Sequence, residues 1–298
     1  MASKTGRAAL LLVLVCLLPG AGLQVARAAP SAVWRIFILD VGQGDATLIR
    51  DGLGTDVLVD GGRKSTGETV LASLRQLQVD DLEAILATHA DSDHVGGLID
   101  VLLADDIPVE SALYNGYPGD TQTWGQFVAA VAAEGLSLIP AQYPGSFTWG
   151  TISASVLNPS PGVSDPEQNA ASLVLRLVFG ETEIILPGDI DAGVEADLVQ
   201  RGDPLEADLL HVAHHGSTSA TSQAFLEAVR PREAFISVGP NPYGHPAPEV
   251  LQRLGASGAR TWRTDASGTL VVTGDGQVYQ VFPQDIFLPL NLGAFAAP

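Results

Sequence analysis

The six histidines of this 298-residue chain stand at positions 89, 94, 211, 214, 215 and 245, and all fall in three short segments. The first segment reads Thr88-His89-Ala90-Asp91-Ser92-Asp93-His94 and is followed by Val95 and the pair Gly96-Gly97. In an extended loop His89, Asp91 and Asp93 project to one side, and His94 adds a donor where the chain turns into a helix. Imidazoles and carboxylates packed this densely can hold two cations. A solvated acidic turn would explain the aspartates, but not two histidines beside glycines that let backbone approach a ligand.

Three other positions join them. Asp189 follows an apolar run and Gly188, where a carboxylate can bridge two metals, although taken alone it reads first as a helix N-cap. His214 and His215 end a second apolar run, which places one of them in the site and the other away from it. His211, inside that run, reads as a satisfied strand residue. Asp60 precedes Gly61-Gly62 and either opens a turn or orients a ligand histidine from behind.

These residues need rigid elements to hold them. Short β patterns at 34–39, 46–50 and 56–59 open the chain, followed by a helical pattern at 69–78, a buried strand at 84–88 and a helix at 95–103. The second half repeats this grammar, with strands at 172–179, 183–186, 208–212, 234–238 and 269–272 and helices at 192–201 and 222–229. Both halves put their unusual polar residues just after strands, where a sheet positions loop side chains accurately. Residues 116–166, rich in Gly, Pro and aromatics, read as an irregular rim.

Hydrophobic residues make up 46% and charged residues 16% of the chain, with mean hydropathy +0.23, as expected of a globular protein. Lys4 and Arg7 precede an apolar run at 8–18 and then Ala26-Arg27-Ala28, a signal-peptide pattern with cleavage expected after Ala28. Val15 stands where a lipoprotein signal needs a small residue, which argues against lipid attachment at Cys16. No later stretch is long and apolar enough to span a bilayer. The expected organisation is a signal peptide at 1–28, one domain at 31–284 and a tail at 285–298, exported to the periplasm, cell surface or medium.

Removing residues 1–28 takes away three cations and no acid, so the formal charge of −19 becomes −22. Such a surface repels a phosphate backbone and disfavours tight general binding to duplexes. Cys16 is the only cysteine, so the mature chain has no disulfide, thiolate metal site or cysteine nucleophile. Gly42, Gly44, Gly61 and Gly62 are not followed by Gly-Lys-Ser/Thr, which excludes a phosphate loop of that kind.

The motif at 39–45, Asp60-Gly61-Gly62, the segment from His89 to Gly97, Gly188-Asp189 and His214-His215-Gly216-Ser217 together resemble the metallo-β-lactamase fold. The stretch 169–175 and Asn241-Pro242-Tyr243-Gly244-His245-Pro246 narrow the resemblance to its ComEC branch of competence proteins. The resemblance implies a four-layer αββα sandwich with a metal cleft between two sheets. It implies as ligands His89, Asp91, Asp93, His94, Asp189 and one of His214 and His215, with His215 favoured because it precedes Gly216. Asp91 replaces a histidine of the broader family, and Asn169 and Ser172 occupy the region of another.

An oxygen-rich site with two or three imidazoles suits two Zn²⁺ or Mn²⁺ ions, which lower the pKa of a shared water and stabilise charge on a substrate oxygen. Asp93 would also orient that water. His245 would serve as general acid or oxyanion stabiliser, or else is simply a turn residue. The leading expectation is a metal-dependent hydrolase of phosphodiesters, with DNA or RNA as candidate substrates. β-Lactamase-like and phosphorylcholine-esterase-like hydrolysis, and a non-catalytic metal-stabilised binding module, are the competing classes.

Overall fold

The structure is a computed structural model that describes residues 33–160 and 167–285. The expected signal segment and residues 286–298 of the tail lie outside the described residues. Among the described residues, fifteen strands form two sheets. In chain order they are β1 (Trp34–Ile38), β2 (Thr47–Arg50), β3 (Asp56–Val59), β4 (Ala84–Ala87), β5 (Ala112–Tyr114), β6 (Leu138–Pro140), β7 (Gly145–Trp149) and β8 (Ile152–Asn158), followed by β9 (Val174–Phe179), β10 (Thr182–Leu186), β11 (Leu209–His211), β12 (Glu233–Ile236), β13 (Arg260–Arg263), β14 (Leu270–Gly274) and β15 (Tyr279–Pro283). The helices are α1 (Gly67–Gln76), α2 (Ser92–Val95), α3 (Leu98–Leu102), α4 (Gln122–Ala133), α5 (Ala192–Arg201), α6 (Gln223–Val229), α7 (Pro248–Ser257) and α8 (Thr264–Ser267).

The first sheet has the order β15-β14-β1-β2-β3-β4-β5-β6 and the second β13-β12-β11-β10-β9-β8-β7. In each, antiparallel hairpin pairing gives way to parallel pairing, at β3–β4 in the first and β10–β11 in the second. Parallel neighbours require crossover helices, and these cover the outer faces. Side chains alternate accordingly: Ile36 and Ile38 of β1 point between the sheets while Phe37 meets the helical layer. Ile184 and Leu186 likewise face the sheet interface and Ile185 the other helical layer. One core lies between the sheets, a second beneath α1, α3 and α4, and a third beneath α5, α6 and α7. This is the αββα sandwich expected from the sequence.

Local signals explain the helix boundaries. Asp191 caps α5 by accepting from the amides of Gly193 and Val194, and the left-handed Gly202 ends it. Ser222 caps α6 through the amide of Phe225. The single helix expected at 95–103 is instead two pieces, because the backbone between them clasps the loop after β3: Gly61 N–H donates to the His94 carbonyl and Gly97 N–H to that of Gly62. A Cβ on Gly61 would stand 2.6 Å from the Leu98 nitrogen, so only glycine allows this approach.

The described part of the expected rim, 116–160, is largely regular, comprising α4 and strands β6 to β8, while residues 161–166 lie outside the described residues. Trp124, Phe127, Ala130 and Val131 give α4 a buried face, and Thr121 caps it through the Trp124 amide. Its small alanines dilute the apolar period that would have identified it. The helix α7 and strand β13 were likewise not anticipated. Among the described residues no helix is long and apolar enough to cross a membrane.

Candidate metal centre

The candidate donors gather where strands β3, β4, β10 and β11 end. Beyond β4, Thr88 donates through its amide and hydroxyl to Asp60, at 2.9 and 2.7 Å. His89 and His94 follow, both wholly buried, with ring centroids 4.1 Å apart. The segment is not extended throughout: Asp91 is the last extended residue, and α2 begins at Ser92 and carries Asp93 and His94. The alternation expected across 89, 91 and 93 therefore stops at Asp91.

His94 Nδ1 stands 2.8 Å from Asp60 Oδ2, leaving Nε2 to face Asp189 Oδ2 at 3.4 Å. Asp189 is placed by the turn after β10 and its amide donates to Ser172 Oγ at 3.2 Å. His215 follows β11; its Nδ1–H donates to the Ser237 carbonyl at 3.0 Å, and Nε2 lies 3.7 Å from Asp189 Oδ2 and 3.9 Å from Asp93 Oδ2. His214 does not point away. Its Nε2 is 3.9 Å from Asp189 Oδ2, because His214 and His215 both adopt left-handed backbone, φ 51° and 54°, where the alternation of a strand does not apply. His215 is buried, whereas His214 is partly exposed.

Compact donor sets share members: His89, His94 and Asp189; Asp93, His94 and His215; Asp45, Asp189 and His215; and Asp45, Asp60 and His94. In each, the ligand atoms lie within 4.8 Å of one another. His89 Nε2, His94 Nε2, His215 Nε2 and Asp189 Oδ1 are buried and have no hydrogen-bond partner within the protein. Burying such atoms unpaired costs free energy, and their convergence as nitrogen and oxygen donors fits a divalent cation. Asp91 lies beside the cluster, its Oδ2 3.6 Å from His89 Nε2, with 43% of its side chain exposed.

The charges are interlocked. Burial raises the Asp189 carboxyl, but His94 and His215 outweigh it and hold Asp189 well below the ordinary carboxylate value. Burial lowers the His94 and His215 imidazoles, yet Asp189 and Asp60 raise the first well above its usual value, and Asp189 and Asp45 push the second up to about 9. His245 is held below the usual histidine value, first by burial and then by His214 and His215. Its ring centroid is 5.6 Å from that of His214, and its backbone is clamped by Asn241, whose Oδ1 accepts from the His245 amide and whose Nδ2 donates to its carbonyl. Asn169 contributes its carbonyl to the Ser172 amide. His211 is buried and bonded through Nε2 to Ser237 Oγ at 2.8 Å.

Asp45 was not singled out from sequence, yet it is buried with Oδ1 3.4 Å from His215 Nδ1 and 3.6 Å from His211 Nε2. Burial raises its carboxyl, while His211 and His215 pull it below the ordinary value. The available signal was Gly44 just before it: at φ +138°, a Cβ there would stand 2.5 Å from the Asp93 carbonyl oxygen, to which Asp45 N–H donates. Ser237, which bonds both His211 and His215, had no sequence signal.

A model of the metallo-β-lactamase superfamily matches residues 39–239. Competence protein ComA of Neisseria gonorrhoeae is 33% identical over 246 residues, covering 82% of this chain and 33% of that protein. ComE operon protein 3 of Bacillus subtilis is 29% identical over 274 residues, covering 85% and 35% respectively. The chain thus spans about a third of the length of these curated relatives. Among solved structures, the metallo-β-lactamase fold protein YhfI from Bacillus subtilis superposes with TM-score 0.54 at 14% identity, over 82% of this chain and 100% of that one.

Proposed function

The chain belongs to the metallo-β-lactamase superfamily and is related to competence proteins, and from that premise we propose that it is an exported, metal-dependent phosphodiesterase of nuclease type. The carrying observation is the convergence of unpartnered, buried His89, His94, His215 and Asp189 atoms in one cluster. His89, His94, Asp93, His215 and Asp189 would hold divalent cations, with Asp189 common to two donor sets and Asp91 beside His89. Bound there, such cations supply Lewis acidity that lowers the pKa of water and neutralises charge growing on a phosphate oxygen.

The chain's own groups do the rest. Asp60 and the Ser237 carbonyl accept hydrogen bonds from the Nδ1–H groups of His94 and His215 and so aim both Nε2 atoms into the site. Asp93, partly exposed on its helical turn, would orient a water by accepting a hydrogen bond from it. His245, whose imidazole is pushed below its usual value by burial and then by His214 and His215, would donate a hydrogen bond to a developing oxyanion or serve as general acid. The signal-peptide pattern at the start of the chain supports export.

The test is the initial rate on bis(p-nitrophenyl) phosphate of protein stripped of metal and then supplied with Mn²⁺ or Zn²⁺. Restored turnover that Asp189→Ala lacks supports the reading. No turnover with either cation overturns it.

A further inference from the structure

Among the described residues, Tyr243 is one of the few large hydrophobic side chains left exposed, at 65%. It begins a run of rings that leads inward to the metal donors. Its centroid is 5.6 Å from that of His245, His245 is 5.6 Å from His214, and His214 is 6.3 Å from His215. The loop is held rather than loose, because Asn241 Oδ1 accepts from the amides of both Tyr243 and His245, each at 3.0 Å. A rigid exposed aromatic face therefore stands two rings from His214, whose Nε2 approaches Asp189.

The charge of the chain bears on what that face binds. At a formal charge of −19, or −22 without residues 1–28, the chain gives a polyphosphate strand little general attraction, so affinity must come from the metal centre and from contacts that carry no charge. Base stacking on an aromatic ring is such a contact and needs an unpaired base. Resting on the phosphodiesterase reading above, we propose that Tyr243 is a stacking platform for a nucleobase of a single-stranded nucleic acid whose backbone enters the metal centre.

Binding is measured by fluorescence anisotropy of the metal-loaded protein with labelled oligomers of about twelve nucleotides, within the usual site size. The oligomers are thymidine, uridine and abasic deoxyribose strands, and cleavage of each is followed separately on gels. The wild-type protein is expected to bind a base-bearing strand about fivefold to 150-fold more tightly than the abasic strand. Tyr243→Ala should bring that ratio within about twofold and Tyr243→Phe should keep it. A preference between thymidine and uridine strands separates DNA from RNA as the source of the base. A ratio unchanged in Tyr243→Ala, or no binding of any strand, overturns the platform. Base-dependent binding without cleavage keeps the platform and sinks the nuclease reading, whereas cleavage with base-independent binding does the reverse.

Discussion

Asp60 Oδ2 lies 2.8 Å from His94 Nδ1, while the same carboxylate accepts from the amide and hydroxyl of Thr88, the residue before His89. One buried side chain thus sets the tautomer of one candidate ligand and the backbone of another. Carboxylates behind metal-binding histidines commonly act in this way, fixing ring orientation and raising basicity.

Asp60→Asn keeps the shape and removes the charge. The expected outcome is a fall of about 10- to 100-fold in metal affinity with the fold retained. Chelator competition and circular dichroism measure the two quantities; unchanged affinity would remove Asp60 from this role.

The raised His215 has a definite pH consequence. Its folded value, about 9, exceeds the ordinary 6.5, so in metal-stripped protein it contributes stability that is fully present below about pH 6.5 and lost as pH rises through 9. Metal uptake runs the other way, since a ligand imidazole must release its proton, and affinity should climb over the same window. Scanning calorimetry and chelator competition at stepped pH should show these opposite slopes. A flat metal-free Tm from pH 6.5 to 9 would be evidence against the first.

Gly44 and Gly54 both sit at positive φ, but only Gly44 abuts the site. Alanine at either position should cost on the order of 1–3 kcal/mol through backbone strain. Gly44→Ala should in addition displace the Asp93 carbonyl and reduce metal content, which Gly54→Ala should not. Equal metal content in the two variants, by elemental analysis, would show that the 42–45 loop does not position Asp93.

The strands of both halves and the polar residues at their ends are legible in the amino-acid order, whereas the layered sandwich came from the resemblance of the ordered motifs and not from periodicity. An uninterrupted apolar run such as Ile36-Phe37-Ile38 fits a strand buried on both faces without saying what covers each face. The cap before α5 is Asp191 and not Asp189, the residue that reads first as a cap in sequence, because two acids stand close before the helix and only the fold assigns one to the helix and the other to the donor cluster. The helix α4 was less legible, because alanines and a glycine blur its apolar face. Tertiary structure decided everything that depends on residues far apart in sequence. It brought Asp45 to His211 and His215, let Ser237 bond both histidines, and turned His214 inward through a left-handed backbone that no strand pattern predicts. Periodicity reports which face of its own element a side chain occupies. The partner it meets there depends on how two sheets pack and on where each loop crosses their ends.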